Sequence, residues 1–190
     1  MKTIKIIFVF CAAFLCGMQI VSAQEKWIIR NHPLYPFSKY NGDTVKYLRQ
    51  NFDGGAVDIY MGQPMSKFFT DMDSALPIRT CFPYYVARPV VGGANEVHLL
   101  GFYGLVYTKD QLKQMIKEGK KIYAISLLFE KWIDDNKEPE IYNYVRNLGL
   151  GKILPWTPEL QQKIEHLPYG NNPVQELTST VKRYLENYPD

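Results

Sequence analysis

The first 23 residues constrain this chain most, because they decide which residues are left to fold. Two lysines, Lys2 and Lys5, precede an apolar run from Ile6 to Met18, and small residues follow at Val21-Ser22-Ala23. A short positive start, an apolar run of this length and small residues at the cleavage positions are typical of a secretory signal peptide. The run is too short to cross a bilayer as a helix. We therefore predict cleavage after Ala23 and a periplasmic or secreted protein.

Cleavage determines what can stabilise the mature chain. The leader takes Cys11 and Cys16 with it, so Cys81 is the single remaining cysteine and no intramolecular disulfide is expected. The 167 residues that remain of the 190 are enough for one domain with its own hydrophobic core. Phe14-Leu15 stands before Cys16, where a lipobox has small residues, so we expect no lipid anchor.

The charge balance of the mature chain bears on its partners. The leader holds two of the 22 Lys and Arg residues and none of the 19 Asp and Glu residues, which leaves a net charge of +1. A nucleic-acid-binding surface needs a clear excess of basic residues, so no nucleic-acid partner is expected. No later segment is long and apolar enough for a transmembrane anchor, so none is expected either.

Strand-like and helix-like patterns alternate through the middle of the chain. Short apolar runs rich in β-branched and aromatic residues predict strands. The four predicted strands are Val57–Met61, Ile78–Val86, Val97–Tyr107 and Ile122–Phe129. The residues between them carry apolar side chains at helical spacing, which predicts helices that pack on the resulting sheet.

Turn and capping residues mark three helix starts in this region. Asp43 is placed to cap the first helix, Pro64 suits the first position of the second, and Thr108-x-x-Gln111 forms a capping box for the third. The third helix lies between two predicted strands. It permits either a right-handed crossover between parallel strands or an antiparallel pair with a helical excursion.

The flanking segments complete an interpretation as a single domain. Prolines among the aromatic residues of 24–40 predict an extended arm that lies on the domain. Residues 138–190 predict a helical tail, in which Thr157-Pro158 starts one helix. We therefore predict one α+β domain over residues 24–190, with an antiparallel or mixed sheet of about four strands packed by helices.

Few residues suggest catalysis. Cys81 and His98 lie on predicted strands that can be neighbours, so they form a candidate nucleophile–base pair. A lone cysteine in an apolar strand is more often a buried hydrophobe, and His98 alternates with apolar residues as a sheet residue does. Asp71-x-Asp73 could contribute to a site assembled from Asp and His residues, but it also fits a solvated helix end. No motif for a metal or cofactor is present, so neither is expected.

Aromatic residues point to recognition more than to catalysis. They form 14% of the chain and include 14 tyrosines. Tyr and Trp supply rigid contact area together with a polar group, which suits sugar and protein surfaces. The candidate ligand-binding residues are Trp27 and Tyr35 in the arm and Tyr84 and Tyr85 in a strand. Ordinary cross-strand pairing and packing of the arm are the alternative explanation.

One part of the chain resembles known envelope proteins. Residues 60–69 read YMGQPMSKFF, a Gly-x-Pro turn into a helix, and strands ending at 125–129 follow. This pattern resembles small uncharacterised secreted proteins of Gram-negative bacteria. It is also similar to the helix-then-strands module of SmpA-like and β-lactamase-inhibitor-like envelope proteins. The similarity covers Val57–Glu130 and departs from that module at the helix Thr108–Glu118. It implies a non-enzymatic interaction domain and carries over no catalytic residue.

These patterns together favour a binding or interaction module outside the cytoplasm, with an unidentified protein or glycan as its ligand. The alternative is a hydrolase whose site is assembled from Asp and His residues, or from Cys81 and His98. A structural part of an envelope complex is a third interpretation. The patterns do not predict an oligomeric state.

Overall fold

A computed structural model describes most of the chain that follows the predicted leader. The described residues are 34–53, 59–72, 76–89, 92–93, 95–133, 139–149, 151–170 and 174–189. The predicted signal peptide, Trp27 and the first part of the predicted arm lie outside these ranges. The described helices are α1 (Thr44–Phe52), α2 (Met65–Asp71), α3 (Lys109–Lys117), α4 (Pro139–Leu148), α5 (Pro158–Ile164) and α6 (Thr178–Asn187), preceded by a 3-10 turn at Phe37–Tyr40. None of these helices is long and apolar enough to cross a bilayer.

The fold is α+β, as the sequence predicts, and its centre is an antiparallel meander. The meander consists of β1 (Thr80–Pro89), β2 (Asn95–Leu105) and β3 (Tyr123–Ile133), paired in chain order. Three two-residue strands extend the sheet: β4 (Leu154–Pro155) beside β1, and β5 (Tyr169–Gly170) and β6 (Gln175–Glu176) beside β3. The segment predicted as a helical tail therefore also supplies strands, which are too short to show a periodic pattern.

The helix between β2 and β3 is an excursion and not a crossover. Gly104 of β2 lies opposite Ile125 of β3, and the two strands run antiparallel. The nine residues of α3 rise about 13 Å, whereas the 11 residues of β2 extend about 36 Å. Because the helix is too short to return the chain along β2, β3 starts at the edge where β2 ends. The parallel crossover is wrong, and the antiparallel alternative is confirmed.

The backbones of β2 and β3 approach so closely at Gly101 that no side chain fits there. A Cβ atom at this position would overlap the carbonyl oxygen of Leu127 on β3. The register shifts at this level on both sides of β2, between Leu99 and Gly101 towards β3 and between Tyr84 and Tyr85 towards β1. Such bulges bend a strand and increase its twist. Glycine at position 101 therefore permits the bend of the central strand.

Helices cover both faces of this sheet and form two hydrophobic cores. Neighbouring strand residues point to opposite faces, so Phe102 belongs to one core and Tyr103 to the other. The large core includes side chains of α1, α2, α4 and α5 and an aromatic group of Phe52, Tyr60, Phe68 and Tyr169. The small core lies under α3 and α6 and includes Phe82, Tyr103, Leu112 and Val181.

The capping residues mark the helix starts as predicted. The Asp43 carboxylate accepts a hydrogen bond from the Lys46 N–H at 2.9 Å at the start of α1. Thr108 and Gln111 form the reciprocal capping box of α3. The Thr157 hydroxyl caps α5, whose first residue is a proline. These side chains satisfy N–H groups that have no partner within a helix, which fixes where each helix begins.

The predicted strand Val57–Met61 is not a strand over its described residues, 59–61. Ile59 and Tyr60, within the predicted strand Val57–Met61, form a 3-10 turn, and Met61 makes a single bridge to Tyr169. Gly62 follows with φ of 68°, which turns the chain before a strand can extend. Pro64 lies at the N-cap of α2, one position earlier than predicted. Residues 57 and 58 lie outside the described ranges.

Candidate ligand-binding site

The structure does not bring Cys81 and His98 together. Their strands are neighbours, but Cys81 lies opposite Gly104 and His98 lies opposite Val86. Five residues along a strand separate the two positions by about 16 Å. Cys81 is fully buried in the large core, and this burial raises the pKa of its thiol to about 12. A thiol that stays protonated and inaccessible is a poor nucleophile.

The acidic and histidine residues considered from the sequence form no site in the described part of the chain. Asp71 accepts a hydrogen bond from the Tyr60 hydroxyl at 3.1 Å at the end of α2, and His166 is exposed. Asp73 and His32 lie outside the described ranges. Within those ranges, no three His, Cys, Asp or Glu side chains are placed to hold a metal ion.

The aromatic residues predicted to bind a ligand lie in separate environments. Tyr35 is exposed, and the Lys39 ammonium lies 4.6 Å from its ring centroid. Tyr84 packs on Tyr103 with ring centroids 5.0 Å apart, on the side of the small core. Tyr85 faces the large core. Trp27 is outside the described residues, and the binding roles of all four stay predictions.

A different group of residues surrounds a cleft of about 300 Å³. We call it the Tyr–Lys cleft. It is lined by Lys109, Lys152, Ile153, Tyr184, Leu185, Asn187, Tyr188 and Pro189. These residues come from the start of α3, the loop after α4 and the end of α6. Such a volume lies at the small end of ligand pockets, which measure about 300–1,000 Å³.

Two glycines after α4 shape one wall of the Tyr–Lys cleft. Gly149 and Gly151 have φ of 94° and 73°, a left-handed backbone that residues with a Cβ rarely adopt. A Cβ on Gly149 would lie 3.2 Å from the Lys152 side chain, and one on Gly151 would lie 3.6 Å from the Tyr188 ring. Gly149 therefore lets the lysine side chain approach the loop backbone, whereas the Tyr188 ring lies at ordinary contact distance from a Cβ at position 151.

Helix α6 supplies the aromatic wall. Tyr184 and Tyr188 are four residues apart, so they lie on one side of the helix end. Tyr184 is anchored in the small core by an edge-to-face contact with Phe82, with centroids 5.3 Å apart. Tyr188 remains 42% exposed. Tyr184 thus fixes the end of the helix, and Tyr188 presents its ring to the cleft.

Lysine side chains hold the end of α6 and line one side of the cleft. Lys109 Nζ donates to the Tyr188 carbonyl at 3.4 Å, and Lys113 Nζ donates to the Pro189 carbonyl at 3.3 Å. The Lys152 ammonium lies 5.3 Å from the centroid of the Tyr188 ring, a cation–π contact. No acidic side chain of the described residues lines the cleft. The arrangement combines an exposed ring, a carboxamide and two ammonium groups.

A second cleft of about 290 Å³ lies on the side of the large core. We call it the tryptophan cleft. It is lined by Phe69, Thr70, Met72, Pro77, Ile78, Trp156 and Gln161. The Trp156 indole N–H donates to Gln161 Oε1 at 3.1 Å, and its ring packs on Phe69 at 5.6 Å. Its indole N–H is thus already satisfied by a neighbouring side chain.

Neither family models, nor curated proteins, nor solved structures gave a match to this chain. The resemblance to SmpA-like modules therefore stays a prediction.

The residues of the Tyr–Lys cleft are not among those that sequence reasoning singled out for binding. Tyr184 and Leu185 fit the buried stripe of a helix, and Gly149 and Gly151 fit a helix end. Two signals could have indicated the cleft: a lysine directly after Gly-x-Gly, and a second tyrosine one turn beyond the stripe at Tyr188.

Proposed function

We propose that this protein is a periplasmic or secreted binding module that holds a saccharide in the Tyr–Lys cleft. The observation that carries the proposal is the exposed ring of Tyr188, which lies 5.3 Å from the Lys152 ammonium and lines, together with Asn187, a cleft of about 300 Å³. A predicted signal peptide agrees with a ligand found outside the cytoplasm.

The chemistry of the cleft suits a sugar better than a purely apolar group. A sugar ring has a face of C–H groups, which packs against an aromatic ring, and an edge of hydroxyl groups, which needs hydrogen-bond partners. Tyr188 offers the ring, while Asn187 both donates and accepts hydrogen bonds. A few polar groups that converge on an apolar wall are the usual composition of a small-molecule site.

The hydrolase alternative finds less support in the described residues. Glycoside hydrolysis uses two carboxyl groups about 5–10 Å apart, one on each side of the bond that is cleaved. No described carboxylate lines the Tyr–Lys cleft, and Cys81 is buried away from it. The chemistry of the lining favours retention of a ligand over its conversion.

A glycan array with the purified protein tests the proposal, and the chain offers a matched control. Tyr188 and Tyr35 are 42% and 38% exposed, and each has a lysine ammonium about 5 Å from its ring. We expect Tyr188→Ala to abolish the glycan signals of the wild-type protein and Tyr35→Ala to keep them, because only Tyr188 lines the cleft. Circular dichroism confirms that both variants are folded.

Two results would contradict this proposal. Binding of no glycan by the folded wild-type protein would exclude a saccharide ligand. Loss of the signals in Tyr35→Ala but not in Tyr188→Ala would place the site at the N-terminal arm, where sequence reasoning puts it.

A further inference from the structure

We propose that Asn41 is a site of spontaneous covalent modification, at which the side-chain amide is lost and the residue becomes aspartate or isoaspartate. This site is independent of the saccharide site. It lies in the turn between the 3-10 turn and α1, where Asn41 and Gly42 are both exposed. Within the described ranges, the Asn41 carboxamide and the Gly42 N–H make no hydrogen bond. The two groups that react with each other are therefore unrestrained.

The reaction requires these two residues and water. The Gly42 backbone nitrogen gives its proton to a hydroxide ion and attacks Cγ of Asn41. The new C–N bond closes a five-membered succinimide ring, and the side-chain nitrogen leaves as ammonia with a proton from water. Water then opens the ring: attack at Cγ gives aspartate, whereas attack at the backbone carbonyl carbon gives isoaspartate. The net change is uptake of water, release of ammonia and a new negative charge.

Gly42 gives the attacking nitrogen free access to Asn41. A side chain next to this nitrogen would hinder its approach, and glycine has none. Asn41 is the only asparagine of the chain that is followed by glycine. Ring closure requires rotation about the Cα–C bond of Asn41, away from its ψ of 37°. No atom lies within 4 Å of the position of a Cβ on Gly42, so the turn has space for this rotation.

Asn51 shows how the fold protects an asparagine elsewhere. Its side chain is completely buried, donates to the Tyr35 carbonyl at 2.9 Å and accepts from the Tyr35 N–H at 3.1 Å. It also lies within α1 and is followed by a phenylalanine. The other described asparagines lie in helices or strands and precede residues larger than glycine: Asn95, Asn143, Asn147 and Asn187. Asn41 thus differs from them in exposure, in backbone structure and in the residue that follows.

The two products should affect the fold differently. Aspartate at position 41 keeps the backbone, and its charge lies near the start of α1, where the helix dipole favours a negative charge. Isoaspartate adds a carbon atom to the backbone of the turn that the Asp43 N–H closes on the Tyr40 carbonyl at 2.9 Å. This turn also places the Tyr40 ring on Tyr47, with centroids 5.5 Å apart. Isoaspartate should therefore loosen the packing of the 3-10 turn on α1, whereas aspartate should preserve it.

Peptide mapping of the folded protein tests the proposal. We would hold the protein in mildly alkaline buffers beside a synthetic peptide of residues 38–46, and measure aspartate and isoaspartate at each asparagine by mass spectrometry. We expect product at Asn41 before any appears at Asn51. The rate at Asn41 should rise in proportion to the hydroxide concentration, because the attacking nitrogen must lose its proton.

Variants separate the turn from the rest of the protein. Asn41→Gln should abolish the product at position 41, because its longer side chain would have to close a six-membered ring. Gly42→Ala should slow the reaction, since a methyl group then stands beside the attacking nitrogen. Asn147→Gln makes the same change within α4 and should leave the rate at Asn41 unchanged. Circular dichroism confirms folding, and the isoaspartate fraction should melt at a lower temperature than Asn41→Asp.

Three results would overturn the proposal. An unmodified Asn41 in the folded protein, under conditions that modify the reference peptide, would show that the native turn holds the two reacting groups apart. Equal rates at Asn41 and Asn51 would show that unfolding, and not the exposed turn, determines the reaction. An undiminished total of modified protein in Asn41→Gln would place the reactive residue elsewhere in the chain.

Discussion

The two sides of the sheet use tyrosine in opposite ways. In the large core, Tyr60 and Tyr169 are completely buried, and their hydroxyls donate to the Asp71 carboxylate and the Ser126 carbonyl. At the margin of the small core, Tyr188 is 42% exposed and faces an ammonium group. A high tyrosine content therefore does not identify a binding surface. The environment of each ring decides whether it stabilises the fold or contacts a ligand.

The two clefts have almost equal volumes but differ in the polar groups that they present. The tryptophan cleft is mostly apolar, and the indole N–H of Trp156 is paired with Gln161. The Tyr–Lys cleft presents the Lys152 ammonium and the Asn187 carboxamide beside an exposed ring. Size alone does not select between them. The polar groups that converge on the Tyr–Lys cleft make it the candidate site.

The largest expected effect is on stability: a substitution in the large core should lower the free energy of unfolding far more than one at the Tyr–Lys cleft. Phe68 is fully buried and stacks on Tyr169 with ring centroids 5.4 Å apart. Phe68→Ala should lower the free energy of unfolding by about 4 kcal/mol, because it leaves a cavity among aromatic rings. Tyr188→Ala should change it by less than about 0.5 kcal/mol, since exposed substitutions usually do. Urea denaturation of both variants measures this contrast, and equal losses would show that Tyr188 belongs to the core.

The tryptophan cleft is the alternative location for a ligand, and Trp156 tests it. The Trp156 ring contacts Phe69 and Phe102, with centroid distances of 5.6 and 6.5 Å. Trp156→Ala should cost about 2 kcal/mol of stability, because a half-buried aromatic side chain loses its apolar contacts. Saccharide affinity, measured well below the melting temperature, should stay unchanged. A loss of affinity in the folded variant would place the ligand in the tryptophan cleft instead.

Two glycines with a left-handed backbone, one beside the Tyr–Lys cleft and one far from it in sequence, test whether the loop after α4 shapes the cleft. Gly149 and Gly42 have φ of 94° and 83°, but only Gly149 has side-chain atoms, those of Lys152, within 4 Å of the position of a Cβ. Alanine at either position should cost about 1 kcal/mol of stability because of the left-handed backbone. Only Gly149→Ala should also weaken saccharide binding, because its Cβ would lie 3.2 Å from the Lys152 side chain and displace it. Equal affinities of the two variants would show that the loop does not shape the site.

The smallest expected effect comes from the Cys81 thiol, which is buried in the large core. Burial raises the pKa of Cys81 from 9.0 to about 12. Below pH 9 the thiol is protonated in both the folded and the unfolded chain, whereas above pH 9 only the unfolded chain ionises. Stability should therefore fall as the pH rises, by about 0.8 kcal/mol at pH 9.5 from this group. Unfolding of wild-type and Cys81→Ala proteins against pH isolates the effect, and parallel curves would contradict it.

Local sequence signals predict much of this fold but not the candidate site. Asp43, Thr108 and Thr157 mark helix starts because each cap is a contact between residues close in sequence. The antiparallel return after α3 was one of two open topologies, since strand pairing depends on distant contacts. The Tyr–Lys cleft joins Lys109 and Lys152 with Tyr188. Only the tertiary fold brings these residues together, so no spacing in the sequence predicts them as a group.

A crystal structure of the protein with the saccharide that binds most tightly would show whether the Tyr–Lys cleft is the binding site. We predict that the sugar ring packs on the Tyr188 ring and that its hydroxyl groups lie about 3 Å, a hydrogen-bond distance, from the side chains of Lys152 or Asn187. A saccharide bound in the tryptophan cleft, beside Tyr35 or against Tyr84 and Tyr85, with the Tyr–Lys cleft unchanged, would contradict it.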